Sequence, residues 1–136
     1  MNQPSQEQII KFCHDNIITD TLEMEVVPTN DGGIRLELAV AEKHTNLHST
    51  AHGGVLTTMI DTAMGAACMA RNKRVVTVSM TIDFMHAVPI NTRIMTDAKI
   101  LHDGRETVTC ECCIVDCEGK IYAKGLAVFF VIGDFV

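Results

Sequence analysis

The chain has 136 residues, of which 47% are apolar, with few glycines and prolines and a formal net charge of −6. That length supports one core and one folding unit, a single domain over 1–136, and the composition excludes a disordered, collagenous or low-complexity chain. The acidic balance argues against a general nucleic-acid binder, which needs a basic face to displace counterions from phosphates.

The first residues carry neither the basic head nor the apolar stretch of a secretory leader, so a cytoplasmic location is expected and the six cysteines read as free thiols. Residues 1–18 form an N-terminal helix and lead-in: Pro4-Ser5 is a start signal, and Ile9, Ile10 and Phe12 follow near helical spacing. Leu22, Met24 and Val26 alternate with polar residues, Thr29 to Gly33 make a turn, and Ile34, Leu36, Leu38 and Val40 alternate again. This predicts a hairpin whose first strand starts at Leu22. Residues 41–51 lack periodicity and read as a histidine-rich loop leading to a helix N-terminus at Gly53.

The helix pattern over 53–70 is apolar on nearly every face, which predicts a buried helix. Asp61 at its centre, together with three threonines, argues against a membrane span. The small residues of its second half, Gly65 among them, predict close approach of strands. After Arg71, four strands are expected, over 75–85, 94–101, 107–115 and 121–132, the later ones joined by short turns at Asp103-Gly104 and Glu118-Gly119. The sum is an α+β fold, an antiparallel sheet curled around one central helix. One helix cannot cover such a sheet. The face expected to carry Val76, Val78, Met80 and Ile82 therefore calls for a second subunit or for the N-terminal helix.

Asp61 is the single charged residue between Gly53 and Ala70. A carboxylate among apolar neighbours has to be solvated by a cavity, paired, or neutral. It reads as a site residue, with a water-facing or packed hydrogen-bond acceptor as the plainer alternative. His52-Gly53-Gly54 opens the helix with two small residues, so free N–H groups could approach a carbonyl that becomes an oxyanion, although the same glycines could simply make a turn. Gly53 and Asp61 are eight residues apart, about 12 Å along a helix axis. One carbonyl cannot meet both, whereas two antiparallel copies of the helix across a twofold axis could, which predicts a site at a dimer interface.

Arg71, Lys73, Arg74, Arg105 and Lys124 are the candidate contacts for an anionic ligand. Cys110, Cys112, Cys113 and Cys117 are dense enough to raise zinc, but Val108, Cys110, Cys112 and Ile114 fit one apolar strand face, so no metal and no cofactor are expected.

The run Asn46-Leu47-His48-Ser49-Thr50-Ala51-His52-Gly53-Gly54-Val55-Leu56 followed by Asp61 resembles the hotdog-fold acyl-CoA thioesterases of the phenylacetate-pathway type, and the resemblance extends from about residue 20 to the last strand. It implies that the Gly53 N–H polarises the thioester carbonyl, that Asn46 supports this, that Asp61 activates water or attacks directly, that Thr77 orients the water, and that His52 has an orienting role. It implies further that Gly54, Phe84, Met85, His86, Gly104 and Arg105 bind the acyl-CoA substrate, and that the protein is at least a homodimer and by analogy a homotetramer. The expected acyl group is medium-chain or aromatic, held near Met59, Met64 and Phe84. The alternatives are a hotdog dehydratase, which needs a histidine base, and a non-catalytic acyl-CoA sensor, which has no use for Asp61.

Overall fold

The computed structural model describes residues 3–136; Met1 and Asn2, part of the lead-in expected over 1–18, lie outside them. The chain runs α1 (Gln6–Asp15), α2 (Ile17–Thr21), β1 (Glu25–Pro28), β2 (Ile34–Ala39), a 3-10 turn (Glu42–His44), α3 (Gly53–Met69), β3 (Lys73–Phe84), β4 (Arg93–Asp103), β5 (Thr107–Asp116) and β6 (Ile121–Asp134). It is an α+β fold, with the long helix α3 packed on a six-stranded antiparallel sheet of order β1-β2-β4-β5-β6-β3.

The helices α1 and α3 each start at a residue whose side chain caps them. In α1 the Ser5 hydroxyl accepts from the Gln8 N–H at 3.1 Å and the Gln8 side chain accepts from the Ser5 N–H at 2.8 Å, a reciprocal capping box. The helix buries Ile9 and Cys13 against α3, β1 and β2. The first strand begins at Glu25, not at Leu22. Leu22 closes α2, and Glu23 turns the chain with φ of 57°. Met24 is buried, so an apolar alternation produced by a helix end and a plug mimicked a strand.

The core lies between α3 and the concave face of the sheet, with Leu56, Met59, Ile60 and Met64 meeting Leu36, Ile94, Cys110 and Phe129. Close approach of helix and strand is made by Gly125 of β6, where a Cβ would stand 2.6 Å from Ile60 Cγ2. Gly65, the glycine expected in that role, has no heavy atom within 4 Å of its virtual Cβ and faces open space.

The pattern of β3 needs a second correction. A bulge between Thr77 and Ser79 shifts the register against β6 and reverses the alternation. Val75, Met80 and Ile82 pack against the core, while Val76 and Val78 are 48% and 62% exposed. The four residues therefore do not share one face. The N-terminal helix packs on β1, β2 and α3 and reaches only the inner side of β3, so Val76 and Val78 on the outer side of this edge strand have no cover among the described residues.

Val108, Cys110, Cys112 and Ile114 form one buried row on β5, as strand periodicity requires. Cys113 faces the other way and Cys117 is exposed, so the four clustered cysteines do not converge. Among the described residues no helix is long and apolar enough to cross a membrane.

Candidate active site

The carboxylate of Asp61 is half-buried in mid-helix and accepts a hydrogen bond from Thr77 Oγ1 at 2.7 Å. The bulge just beyond Thr77 makes this pairing possible, since it keeps Thr77 turned toward α3 while the chain continues with its core face at Met80. The pair borders a cavity of 220 Å³ walled by Phe12, Met69, Val75, Phe129 and Phe135, with Asn16, Thr62 and Arg74 as polar neighbours. Cys13 also lines it, and burial pushes that thiol up to about 11. It stays protonated at neutral pH and acts as apolar wall, not as a nucleophile.

The N-terminus of α3 is organised separately. His52 is the N-cap, and its Nδ1 accepts from the Gly54 N–H at 2.8 Å. Used as an acceptor, Nδ1 is unprotonated, so the ring proton sits on Nε2. Gly53 is thereby left as the free donor: its N–H has no hydrogen-bond partner among the described residues. A Cβ on Gly53 would lie 3.3 Å from Cζ of Phe84. The ring closes one side of a groove of 270 Å³ that also contains Asn46, Met85 and His86.

Asn46 spends much of its side chain on its own loop. Its Oδ1 accepts from the His48 N–H at 2.9 Å and the Thr50 N–H at 3.3 Å, and its Nδ2 donates to Thr50 Oγ1 at 3.1 Å. One amide hydrogen remains for a ligand in the groove. The loop is pinned below by buried His44, whose Nδ1 accepts from the Ala41 N–H at 2.9 Å and whose Nε2 lies 2.7 Å from the Leu22 carbonyl oxygen. The His44 carbonyl in turn accepts from the His52 N–H at 2.8 Å.

Gly104 and Arg105 are elsewhere. They occupy the β4–β5 turn, where the Gly104 carbonyl accepts from Lys73 Nζ at 2.6 Å. Lys73 and Phe84 are the two ends of the twelve-residue strand β3, about 36 Å apart at ~3.3 Å per residue. Among the candidate cations, Lys73 and Arg71 are occupied by Asp103, and the Lys73 hydrogen bond holds that carboxyl below its usual range. Lys124 pairs with Glu111 at 3.1 Å. Arg74 and Arg105 form no ion pair among the described residues.

One chain thus brings together Asn46, His52, Gly53, Gly54, Phe84, Met85 and His86 in one place, Asp61 and Thr77 in a second, and Gly104 and Arg105 in a third. Residues 48–123 match the profile of the Thioesterase superfamily. The chain belongs to this superfamily.

Its relatives include the acyl-coenzyme A thioesterase PaaI of Escherichia coli K12, 26% identical over 102 residues that cover 75% of this chain and 73% of that protein. Human acyl-coenzyme A thioesterase 13 is 28% identical over 106 residues, 76% of each chain. The solved E. coli PaaI protein from the phenylacetic acid degradation operon superposes with a TM-score of 0.84 at 22% identity over 96% of this chain and 98% of its own, which shows the shared hotdog fold. A hypothetical thioesterase of Streptococcus pneumoniae TIGR4, solved with coenzyme A, superposes at 0.77 with 25% identity, covering 83% of this chain and 91% of that one.

In this hotdog superfamily member, two features of the cavity escaped the sequence reading. Met59 and Met64, expected to line the substrate pocket, are fully buried in the core and border neither space. Phe12 and Phe135, which line the cavity beside Asp61, come from opposite ends of the chain. No local spacing connects residue 12 with residue 135; the one available signal was an aromatic residue at each terminus of a chain with 4% aromatics.

Proposed function

We propose that this protein hydrolyses acyl-CoA thioesters to the free acid and CoA, acting on medium-chain or aromatic acyl groups, with the whole domain 1–136 as the working unit. The observation that carries the reading is the Asp61–Thr77 hydrogen bond beside a cavity, on a helix with no other charge. In the reaction the thioester carbonyl carbon gains an oxygen from water and the C–S bond breaks. Asp61 takes the water's proton or itself attacks first, Thr77 orients the attacking group, and the departing CoA thiolate is protonated. The unpartnered Gly53 N–H, at the positive end of α3, is suited to the developing oxyanion. His52 keeps that donor free by taking the Gly54 N–H for itself, and Asn46 supports the carbonyl with its remaining amide hydrogen.

Assembly follows from distance. Gly53 and Asp61 stand about 12 Å apart along α3, so the reading requires Asp61 of the partner subunit opposite Gly53. The unpaired β3 edge, with Val76 and Val78 exposed, is the surface suited to that pairing, because long uncovered edges otherwise invite aggregation. Antiparallel pairing of two β3 edges along their full length also brings the Lys73 end of one strand beside the Phe84 end of the other. Gly104 and Arg105 could then meet the nucleotide of a CoA whose pantetheine lies along Gly54, Phe84, Met85 and His86. A homodimer is the minimum, and the analogy extends to a homotetramer.

Asp61→Asn preserves size and removes the charge. It should lower kcat by about 10²–10⁴-fold, the usual worth of a positioned acid or base, while circular dichroism and melting stay near wild type. Near-normal turnover would sink the assignment, and a wild-type protein that binds acyl-CoA without turning it over would make it a sensor instead. A single turnover in ¹⁸O-water tests direct attack: an unlabelled product acid with ¹⁸O in the Asp61 carboxylate shows that Asp61 formed an anhydride with the acyl group and that water then opened it at the aspartyl carbonyl. The dehydratase reading is disfavoured because His52 Nδ1 is committed to the Gly54 N–H.

A further inference from the structure

The proposed reaction asks the Asn46 amide and the Gly53 N–H, on two limbs of one loop, to meet one carbonyl oxygen. The limbs join at a neck, where the His52 N–H donates to the His44 carbonyl at 2.8 Å and Thr45 bridges to Ala51. The exit limb is held by the core: the Ala51 N–H donates to the carbonyl of fully buried Val88 at 2.9 Å, and α3 follows at once. The entry limb has less support. Among the described residues, the hydrogen bonds of residues 42–46 stay within the segment 41–52 with the exception of two side chains. One is Lys43, paired with Glu23 at the surface, where the two are 43% and 70% exposed and such pairs contribute little. The other is His44.

His44 is 2% exposed, and both of its ring nitrogens are occupied. Nδ1 accepts from the Ala41 N–H at 2.9 Å, a local bond within the 3-10 turn. Nε2 lies 2.7 Å from the Leu22 carbonyl oxygen, which can only accept, so the ring proton sits on Nε2. This second bond is the one link from a buried side chain of the entry limb to the body of the fold. It runs to the residue that closes α2, outside residues 48–123, the span matched by the superfamily profile.

We propose that His44 is a positioning residue for thioester hydrolysis: through its bond to Leu22 it sets the separation between the Asn46 amide and the Gly53 N–H, and so their fit to one oxygen. The proposal rests on the acyl-CoA reading of the site. His44 lines neither the groove at Phe84 nor the cavity at Asp61, so its influence passes through Asn46 and His52. Misplacing a catalytic group by about 1 Å can cost about 10²-fold in rate. Oxyanion donors act on the transition state more than on bound substrate, so the loss belongs in kcat and not in KM.

His44→Ala, His44→Asn and His44→Gln separate the two ring bonds. Asn places an oxygen near the Nδ1 position and retains the bond from Ala41, whereas Gln places an N–H near the Nε2 position and retains the bond to Leu22. Turnover of octanoyl-CoA and phenylacetyl-CoA is measured at a temperature where circular dichroism shows each variant folded. His44→Ala should lower kcat by about 10²-fold with KM unchanged. His44→Gln should recover most of that loss and His44→Asn little of it, so that Gln exceeds Asn by about tenfold or more even where His44→Ala does not fold. In ¹⁵N–¹H spectra the Gly54 amide, which donates to His52 Nδ1, should shift in His44→Asn and lie nearer its wild-type position in His44→Gln. A residue that serves stability alone would lower the melting temperature and leave both that amide and the kcat of folded enzyme in place. An active wild type with equal kcat in His44→Gln and His44→Asn overturns the proposal alone. A wild type inactive on both substrates overturns the hydrolase reading, and the kinetic role of His44 with it.

Discussion

Glu37 is 6% exposed on β2 and carries two guanidinium partners, Arg35 Nε at 2.6 Å and Arg93 Nη2 at 2.7 Å. Burial by itself raises its carboxyl, but the hydrogen bonds from Arg93 and Arg35 outweigh it and hold the group below the ordinary range. A carboxyl depressed in the folded state contributes stability above its unfolded value of about 4.3 and loses that contribution as pH falls through the folded value. The urea midpoint should therefore decline on acidification below about pH 4, and Glu37→Gln should flatten that decline. An equal pH dependence in both proteins would show that another carboxylate governs acid stability. At this scale the sequence was legible where chemistry was isolated: Asp61 stood out because nothing around it was charged. Its partner Thr77 was reached through the family resemblance, since the bulge that aims it at Asp61 leaves no mark in the alternation of Val76, Val78, Met80 and Ile82. That alternation pointed to the wrong common face for the same reason.

At the scale of elements, the decisive contact is α3 against β6. The virtual Cβ of Gly125 lies 2.6 Å from a methyl of Ile60, which is fully buried and β-branched and so has little room to rotate. Gly125→Ala should push the helix off the strand at a cost of about 1–3 kcal/mol, seen as a melting temperature lower by roughly 3–10 °C. Because Asp61 follows Ile60, turnover should fall more than the loss of folded protein explains. Unchanged melting would mean that the helix has slack there. This contrasts with Gly65, where the added methyl enters empty space. Both glycines were visible in the sequence, but a glycine states only that a side chain is absent. Whether a strand or a cavity occupies the vacancy depends on tertiary neighbours. The start of β1 misled for a related reason, since Leu22 and Met24 satisfy burial at a helix end as well as on a strand.

The whole molecule leaves its candidate groups in separate places, and the dimer reading makes a quantitative claim about mixtures. Asp61→Asn and Gly53→Val should each be inactive alone. If sites are shared across a twofold axis, random reassembly of equal amounts makes half the dimers mixed, each with one intact site, so about a quarter of wild-type activity should return. No recovery, with subunit exchange verified by native mass spectrometry, would place Gly53 and Asp61 in separate functions. The expectation of two copies was readable from the spacing of these two residues alone, since the rise of a helix is fixed. Which strand would offer the joining edge was not, because strand order is a property of the folded sheet.

That order has a consequence in time. Among the described residues β3 pairs only with β6, so Thr77 faces Phe129 across a ladder that cannot form until β6 exists. Contacts so far apart in sequence are slow to close, and during synthesis the N-terminal part of the chain emerges well before them. A growing chain that has reached Asp116 has α3 and its carboxylate but no neighbour to hold β3, and hence no seat for Thr77 and no ordered edge to offer a second copy. On the proposed dimer, the Asp61–Thr77 pair and the joining edge would then form together and only once β6 has been made, which keeps a nascent chain from pairing prematurely with the chains beside it.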